Sequence, residues 1–260
     1  IKKRMEALSP DIVIGMKYLY SNMPYSDVGN YTFDTYLDYV QQGIYLWENS
    51  PYVKNYPELY FLNYVLFHRT NDEEIKPCRT YFWEKIKDKV QGKAMVEAAL
   101  EINHWCAGEV MYQGTDMRTG SALEIYRSGV GRCGEEAVFV VNVMRSAGIP
   151  ARPVYVPRWS HCDDNHAWVE VWCDGDWHYL GACEPEAVLD KGWFTNAASR
   201  AMMIGSRWYD RAMPDEKVIG KDGMNRIINL LGKYAKTRWI TITVEDLDGT
   251  PAAGAKVRAE

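Results

Sequence analysis

The stretch that most constrains this chain is "CGEEAVFVVNVMRSA", residues 133–147. Ala137, Val138, Phe139, Val140, Val141, Val143 and Met144 would put apolar side chains on nearly every side of a helix. A helix that is apolar all round has to be enclosed by other elements. Gly148 follows as a helix terminator, and Pro150 prevents continuation. The chain is thus expected to fold around one buried central helix, with Cys133 at its N-terminal tip.

That position has chemical meaning. Free backbone N–H groups and the helix dipole favour an anion at a helix N-terminus. The pattern therefore predicts a lowered thiol pKa and a nucleophilic Cys133. Gly129, Gly131 and Gly134 leave room beside it for a substrate carbonyl, and the Cys133 N–H is a candidate oxyanion donor. A nucleophilic thiol also needs a base. His166 opens "HAWVEVW", a strand pattern in which His166, Trp168, Glu170 and Trp172 share one face. Ala167, Val169, Val171 and Cys173 share the other. His166 would stand at the strand end, within reach of the helix tip. A lone buried cysteine is ordinarily an inert small hydrophobe. The flanking glycines and the His-led strand are what favour catalysis here.

Composition narrows the class. The 260 residues are 47% hydrophobic and 25% charged, with a net charge of −5. This is an ordinary folded domain without the basic surface that nucleic acids or anionic membranes require. No apolar run of about 18 residues is present to span a membrane. The opening "IKKRMEALSPDIV" has basic residues but no apolar segment after them, so it does not read as a signal peptide. None of the six cysteines forms a C-x-x-C pair, which argues against a zinc ribbon or thioredoxin motif. Cys173 and Cys183 could pair in an oxidising compartment and are core residues otherwise. His161, Cys162 and Asp163 share one loop, a weak metal signal, and no metal is expected.

The organisation is α+β: helices first, then the Cys-led helix, then antiparallel strands. Residues 9–112 read as helical, with Ser9 and Pro10 at one helix start and Phe33, Tyr36, Leu37, Val40, Ile44 and Trp47 at helical spacing along another. "YPELYFLNYVLFHR" repeats the helical pattern. "PARPVYVPRW" reads as a strand, and "HAWVEVW" and "WHYL" as a hairpin closed by Asp174-Gly175. Residues 190–226 show no clear period and read as long loops. Near the end, Ile240, Ile242 and Val244 alternate with polar residues, and "AKVRAE" begins a further strand. The expected domains are a helical region (1–94), a catalytic core (95–236) and the first strands of a β-sandwich module (237–260).

The ordered elements "GxCGEEAxFxxxxxRxxGIPAR…HAWxEVW…W", over roughly residues 95–195, resemble the core of the transglutaminase-like superfamily, a papain-like cysteine fold. Transglutaminases, peptide N-glycanases and microbial cysteine proteases belong to it. "YFLNYVLFHRTNDEE" and "DLDGTPAAGAKV" further resemble transglutaminase-like proteins of Bacteroidetes, which are typically exported and carry β-sandwich modules. The resemblance implies Cys133 as nucleophile and His166 as general base. It implies acyl transfer on amide bonds through a Cys-thioester, a protein, peptide or glycopeptide substrate, and no cofactor. One position departs from the pattern. Gly181 in "WHYLGACEP" stands where the family usually has Asp. Glu184 would then be the third member, or a backbone or amide group would orient His166, or the site is weakened and the chain binds through the same groove. "GACE" is also similar to a peptide N-glycanase motif but lacks its Asp. Trp168 and Trp105 are candidate groove residues along with Gly131 and Gly134, although core packing is the simpler role for Trp105. Glu170 faces solvent or pairs with Arg152.

Overall fold

The computed structural model describes residues 2–223, 225–238 and 240–257. Helix α1 (Pro10–Asn22) begins after Ser9, whose backbone is extended but whose hydroxyl makes no cap hydrogen bond. Helix α2 (Phe33–Asn49) is capped by Thr32, which accepts from the Thr35 N–H; of the expected stripe it buries Phe33, Tyr36 and Val40, leaves Leu37 and Ile44 partly buried and Trp47 exposed, and buries Leu46 instead. "YPELYFLNYVL" departs from the plain helix expected of it. One turn at Glu58–Phe61 widens into a π-helical turn over Leu62–Leu66. Helices α3 (Arg79–Val90), α4 (Met95–Glu109) and α5 (Ala122–Ser128) complete the shell around the central helix.

The central helix α6 spans Cys133–Ser146, and every residue from Glu135 to Ser146 is buried. Arg145 in its last turn is enclosed too, and its guanidinium satisfies the carbonyls of Phe67, Arg69 and Ala151. The helix ends as the sequence predicts. Gly148 takes φ +84°, the Ile149 N–H donates to Met144 O, and the Gly148 N–H donates to Arg145 O. This pair of bonds satisfies carbonyls that the helix leaves open.

Against α6 lies a six-stranded antiparallel sheet of order β3-β2-β1-β4-β6-β5. Its strands are β1 (Ala151–Val156), β2 (His166–Cys173), β3 (Asp176–Leu180), β4 (Gly205–Trp208), β5 (Val218–Asp222) and β6 (Asn225–Asn229). The β2–β3 hairpin turns at Asp174 (φ 52°) and Gly175 (φ 93°), two left-handed residues as a two-residue hairpin loop requires. Strands β4–β6 occupy the stretch whose lack of a period suggested loops. They are short, and several of their side chains are half-exposed, which hides the alternation.

Strand β2 is buried on both faces. Ala167, Val169, Val171 and Cys173 pack in the helix-side core with Val138, Val141 and Met144. Trp168 lies on the far side in a second core with Val154, Val156, Phe194 and Trp208. Glu170 points the same way and pairs with Arg152, as one of its two predicted roles had it. Arg152 Nε donates to Glu170 Oε2 (2.7 Å) and Nη1 to Glu216 Oε1 (2.5 Å), with both Arg152 and Glu170 enclosed. Tyr234 donates its hydroxyl to Glu170 Oε1 (2.6 Å) and accepts from Trp168 Nε1–H (2.9 Å).

No strand forms over residues 240–257. Ile240 and Ile242 are exposed, and a single bridge joins Glu245 to Pro251. So short a segment has too little apolar surface to build its own core. Of the further strand expected at 255–260, residues 258–260 lie outside the described ones. Among the described residues no helix is long and apolar enough to cross a membrane.

Candidate active site

Cys133 is the first residue of α6 and is half-buried. Arg132 precedes it in extended conformation, and the Glu135 carboxylate reaches back to accept the Arg132 N–H (3.2 Å) and the Gly120 N–H (3.1 Å). The chain is thereby fixed on both sides of the thiol. Sγ takes backbone N–H groups from Ala167 and Gly134. One of these donors, Gly134, belongs to the helix tip, and the other, Ala167, to β2. The thiol pKa nevertheless moves opposite to the expectation: burial pushes it up, and the two N–H groups only partly counter this. The resting sulfur is a protonated thiol.

Cys133 opens into a cavity of about 530 Å³ with Gly134, Ala137, Tyr155, Asn165 and Ala167 among its walls. Asn71, Asp72, Met117, Thr119 and Arg207 line both this cavity and a larger cleft of about 1340 Å³. The two spaces share these residues as a common wall. Gly134 is on the cavity, while Gly131 is buried with Glu135 Cβ 3.1 Å from where its own Cβ would stand. Trp105 does not line the cavity. It stacks on Tyr126 (6.0 Å, 27°) against Phe139. Trp168 is fully enclosed and forms a floor beneath the imidazole (5.9 Å) rather than an open wall.

His166 is 7% exposed at the start of β2, one residue before the N–H that meets Sγ. Strand alternation turns its ring toward the second core. The ring packs against Trp193 (4.7 Å between centroids), Phe194 (5.2 Å) and Trp159 (6.2 Å). Burial lowers its pKa to about 4, with the Asp164 charge opposing, so the imidazole is neutral. Its Nε2 is enclosed and has no hydrogen-bond partner. No hydrogen bond joins the ring to Cys133 or to Glu184.

Glu184 ends a tight turn. Its N–H donates to Gly181 O (3.2 Å), and Cys183 within the turn has φ 56°. Asn103 of α4, almost fully buried, clamps this turn. Its Nδ2 donates to Gly181 O (2.9 Å), and its Oδ1 accepts from the Cys183 N–H (3.1 Å). Glu184 Oε1 accepts from Trp193 Nε1–H (2.9 Å), while Oε2 is buried with no partner. The carboxylate lies over Gly181: a Cβ there would stand 2.3 Å from Oε2. Burial raises the Glu184 pKa, and the Trp193 hydrogen bond opposes the rise.

Two residues here escaped the sequence reading. Glu136 is 4% exposed, and burial followed by the charge of Glu184 raises its pKa to about 8. The doubled acid of "CGEE", at the entrance to an apolar helix, was the available signal. Asn103 was hidden as one polar residue on an otherwise apolar helix face. Elsewhere, His178 pairs its Nδ1 with Asp190 on the hairpin surface (2.6 Å), and Cys162 is exposed. All six cysteines are free, Cys173 and Cys183 included. Among the described residues no cluster of His, Cys, Asp and Glu is arranged to hold a metal.

Residues 84–182 match the sequence profile of the transglutaminase-like superfamily. The matched span begins within α3 and stops two residues short of Glu184. No curated protein matches the chain. Among solved structures, one from Cytophaga hutchinsonii, described as a "Putative Cysteine Protease", is 17% identical with a TM-score of 0.34. The match covers 58% of this chain and 57% of that one. Another from Parabacteroides distasonis, described as a "putative protease", is 14% identical with a TM-score of 0.38, covering 66% of this chain and 29% of that one. The chain thus spans well under two thirds of either. Cys133 at the tip of the enclosed helix and His166 at the head of the neighbouring strand both fall within residues 84–182, the span that is similar to the transglutaminase-like superfamily.

Proposed function

We propose that this chain is a cysteine-dependent hydrolase of amide bonds in peptides or proteins, working through a thioester on Cys133. The observation that carries the reading is the placement of Sγ: first residue of a buried helix, facing two backbone N–H groups, at the wall of an open cavity. The similarity of residues 84–182 to the superfamily supports a cysteine-based enzyme in general, and the choice among its activities rests on the cavity.

Thiol and imidazole are both neutral at rest, so proton transfer accompanies attack. Sulfur bonds to the amide carbon, and the thiol proton passes to His166 as the carbonyl electrons move onto oxygen. The Cys133 N–H and its neighbours face that oxygen. Collapse breaks the C–N bond, and the amine leaves with the proton held by His166. Water, deprotonated by His166, then attacks the thioester, and the C–S bond breaks. The half-buried sulfur lies on the wall of an open cavity that water can enter, which supports water over an amine as acceptor. Glu184 is the third member: its free Oε2 is the acceptor for His166 Nε2–H once the site closes on substrate.

The partnerless Nε2 favours a second reading, in which the groove binds without turning over. Iodoacetamide alkylation of Cys133, followed by peptide mass mapping from pH 4 to 10, separates the two. The hydrolase reading expects Cys133 to react at pH 6–7 and to lose that reactivity in His166→Ala, leaving only the ordinary high-pH thiol titration. Equal rates in both proteins, or an inert Cys133, would remove the enzyme reading and leave the binder.

A further inference from the structure

Trp193 is a large aromatic side chain that is 63% exposed, so burial does not explain its position. What fixes it is local. Thr195 closes the turn Gly192–Thr195 through its N–H (3.1 Å) and hydroxyl (2.8 Å) to Gly192 O, and Phe194 anchors the turn in the second core. From that anchor the indole reaches Trp159 (6.4 Å between centroids) and two residues of the candidate site. Its N–H donates to Glu184 Oε1 (2.9 Å), and its ring packs on the His166 imidazole at 4.7 Å and 52°. Those two residues own the two partnerless buried atoms of the site, His166 Nε2 and Glu184 Oε2.

We propose that Trp193 is a positioning residue that holds the Glu184 carboxylate and the His166 imidazole in a fixed relation, so that Glu184 substitutes for the side chain missing at Gly181. The idea rests on the hydrolase reading above and gives it a further part. By occupying Oε1, the indole N–H leaves Oε2 as the one lone-pair site available to the imidazole. By packing on the ring, it limits rotation about the His166 side-chain torsions. Asn103 fixes the backbone of the same turn, so the carboxylate is held at both ends. A carboxylate reaching in from three residues downstream needs such a clamp. A longer, more flexible side chain loses more rotamer freedom on being ordered.

The test uses Trp193→Phe, which keeps an aromatic ring on the imidazole and deletes only the donor. The readout is the pH profile of Cys133 alkylation. With the donor gone, nothing opposes the burial that raises the Glu184 pKa, so the carboxyl holds its proton to higher pH and the orienting anion is lost first at the acidic end of the profile. The rate at the acidic end is expected to fall about tenfold, the worth of one hydrogen bond to a carboxylate, and to recover toward wild type as the pH rises. In a Glu184→Gln background the same substitution should add nothing, because both changes act through one group. A Trp193→Phe profile that superimposes on wild type overturns the proposal. So does a loss that is uniform across pH and tracks a lowered unfolding temperature. Absence of any His166-dependent alkylation in wild type is a different failure, because it removes the hydrolase reading itself and the positioning role with it.

Discussion

Replacing Gly181 by alanine should damage both stability and reactivity, and the size of the effect follows from three distances. A Cβ at this position would meet Glu184 Oε2 at 2.3 Å, Glu184 Cβ at 2.8 Å and Glu184 Cδ at 3.2 Å. Contacts below 3.0 Å do not persist, so about an ångström of movement is forced. Either the Glu184 side chain swings away and gives up the Trp193 N–H, or the turn opens and strains the Asn103 clamp. The backbone at 181 is not left-handed, so alanine itself adds no dihedral strain. Gly→Ala at a compatible site normally stabilises by about 0.4–1 kcal/mol. Overpacking of this kind costs about 1–3 kcal/mol, and a lost hydrogen bond to a carboxylate about 1.5–3 kcal/mol. The expected outcome is a net destabilisation of about 1–3 kcal/mol in urea unfolding, with Cys133 alkylation at pH 6–7 reduced about tenfold. Gly108→Ala is the control: nothing lies within 4 Å of a Cβ there, within α4, and it should stabilise slightly. If Gly181→Ala matches Gly108→Ala in stability and keeps the wild-type alkylation profile, the space over 181 is not what lets Glu184 take its place.

Further outcomes concern charge. His68 and His166 are both held neutral to about pH 4 by burial, whereas their unfolded forms bind a proton near 6.5. Between those values the unfolded chain holds more protons, so stability falls as pH drops from 6.5 to 4, by about 3 kcal/mol for each histidine. Urea midpoints across that range in wild type and His166→Phe measure it, and equal slopes would count against a buried neutral His166. Glu136 works in the opposite direction. Its folded pKa of about 8 lies above the unfolded value, so its contribution is lost as pH rises toward 8. Glu136→Gln should raise stability at pH 8 by on the order of 2 kcal/mol and change little at pH 4.5, as thermal melts at the two pH values would read. Arg152→Ala strands the Glu170 and Glu216 carboxylates and should cost about 3–5 kcal/mol by denaturant titration. Arg152→Met paired with Glu170→Leu should cost clearly less, and parity between the two variants would contradict the network.

What could be read from the sequence was whatever one segment decides for itself. The all-round apolarity of 137–144 and the Gly148 terminator announce α6, and Asp174-Gly175 announces the β2–β3 hairpin. Cys133 and His166 were legible because an ordered motif marks them. Strands β4–β6 were not: "GSRW", "VIGKD" and "NRIIN" become strands only through pairings with distant partners such as Tyr155 with Gly205. The direction of the thiol pKa was illegible for a related reason. The helix tip is a local feature and pulls it down, but the burial that pushes it up arises only when the chain packs around it. Glu136 looks in sequence like an ordinary acidic first-turn residue. Only packing shows that it is enclosed, and only the Gly181–Glu184 turn shows that another carboxyl faces it.

The burial of β2 on both faces makes this strand a measuring rod. A slip of one residue against β1 would turn Glu170 toward the apolar side of α6 and push Val169 or Val171 into the place beside the Arg152 guanidinium. Neither side of the sheet tolerates the exchange, so the alignment is locked at Glu170. His166 sits four residues away on the same strand, about 13 Å along it. The register that a buried ion pair enforces in the middle of the sheet therefore also sets how far the imidazole reaches toward the thiol. Loosening that pair would be felt at the sulfur without any atom of the network touching it.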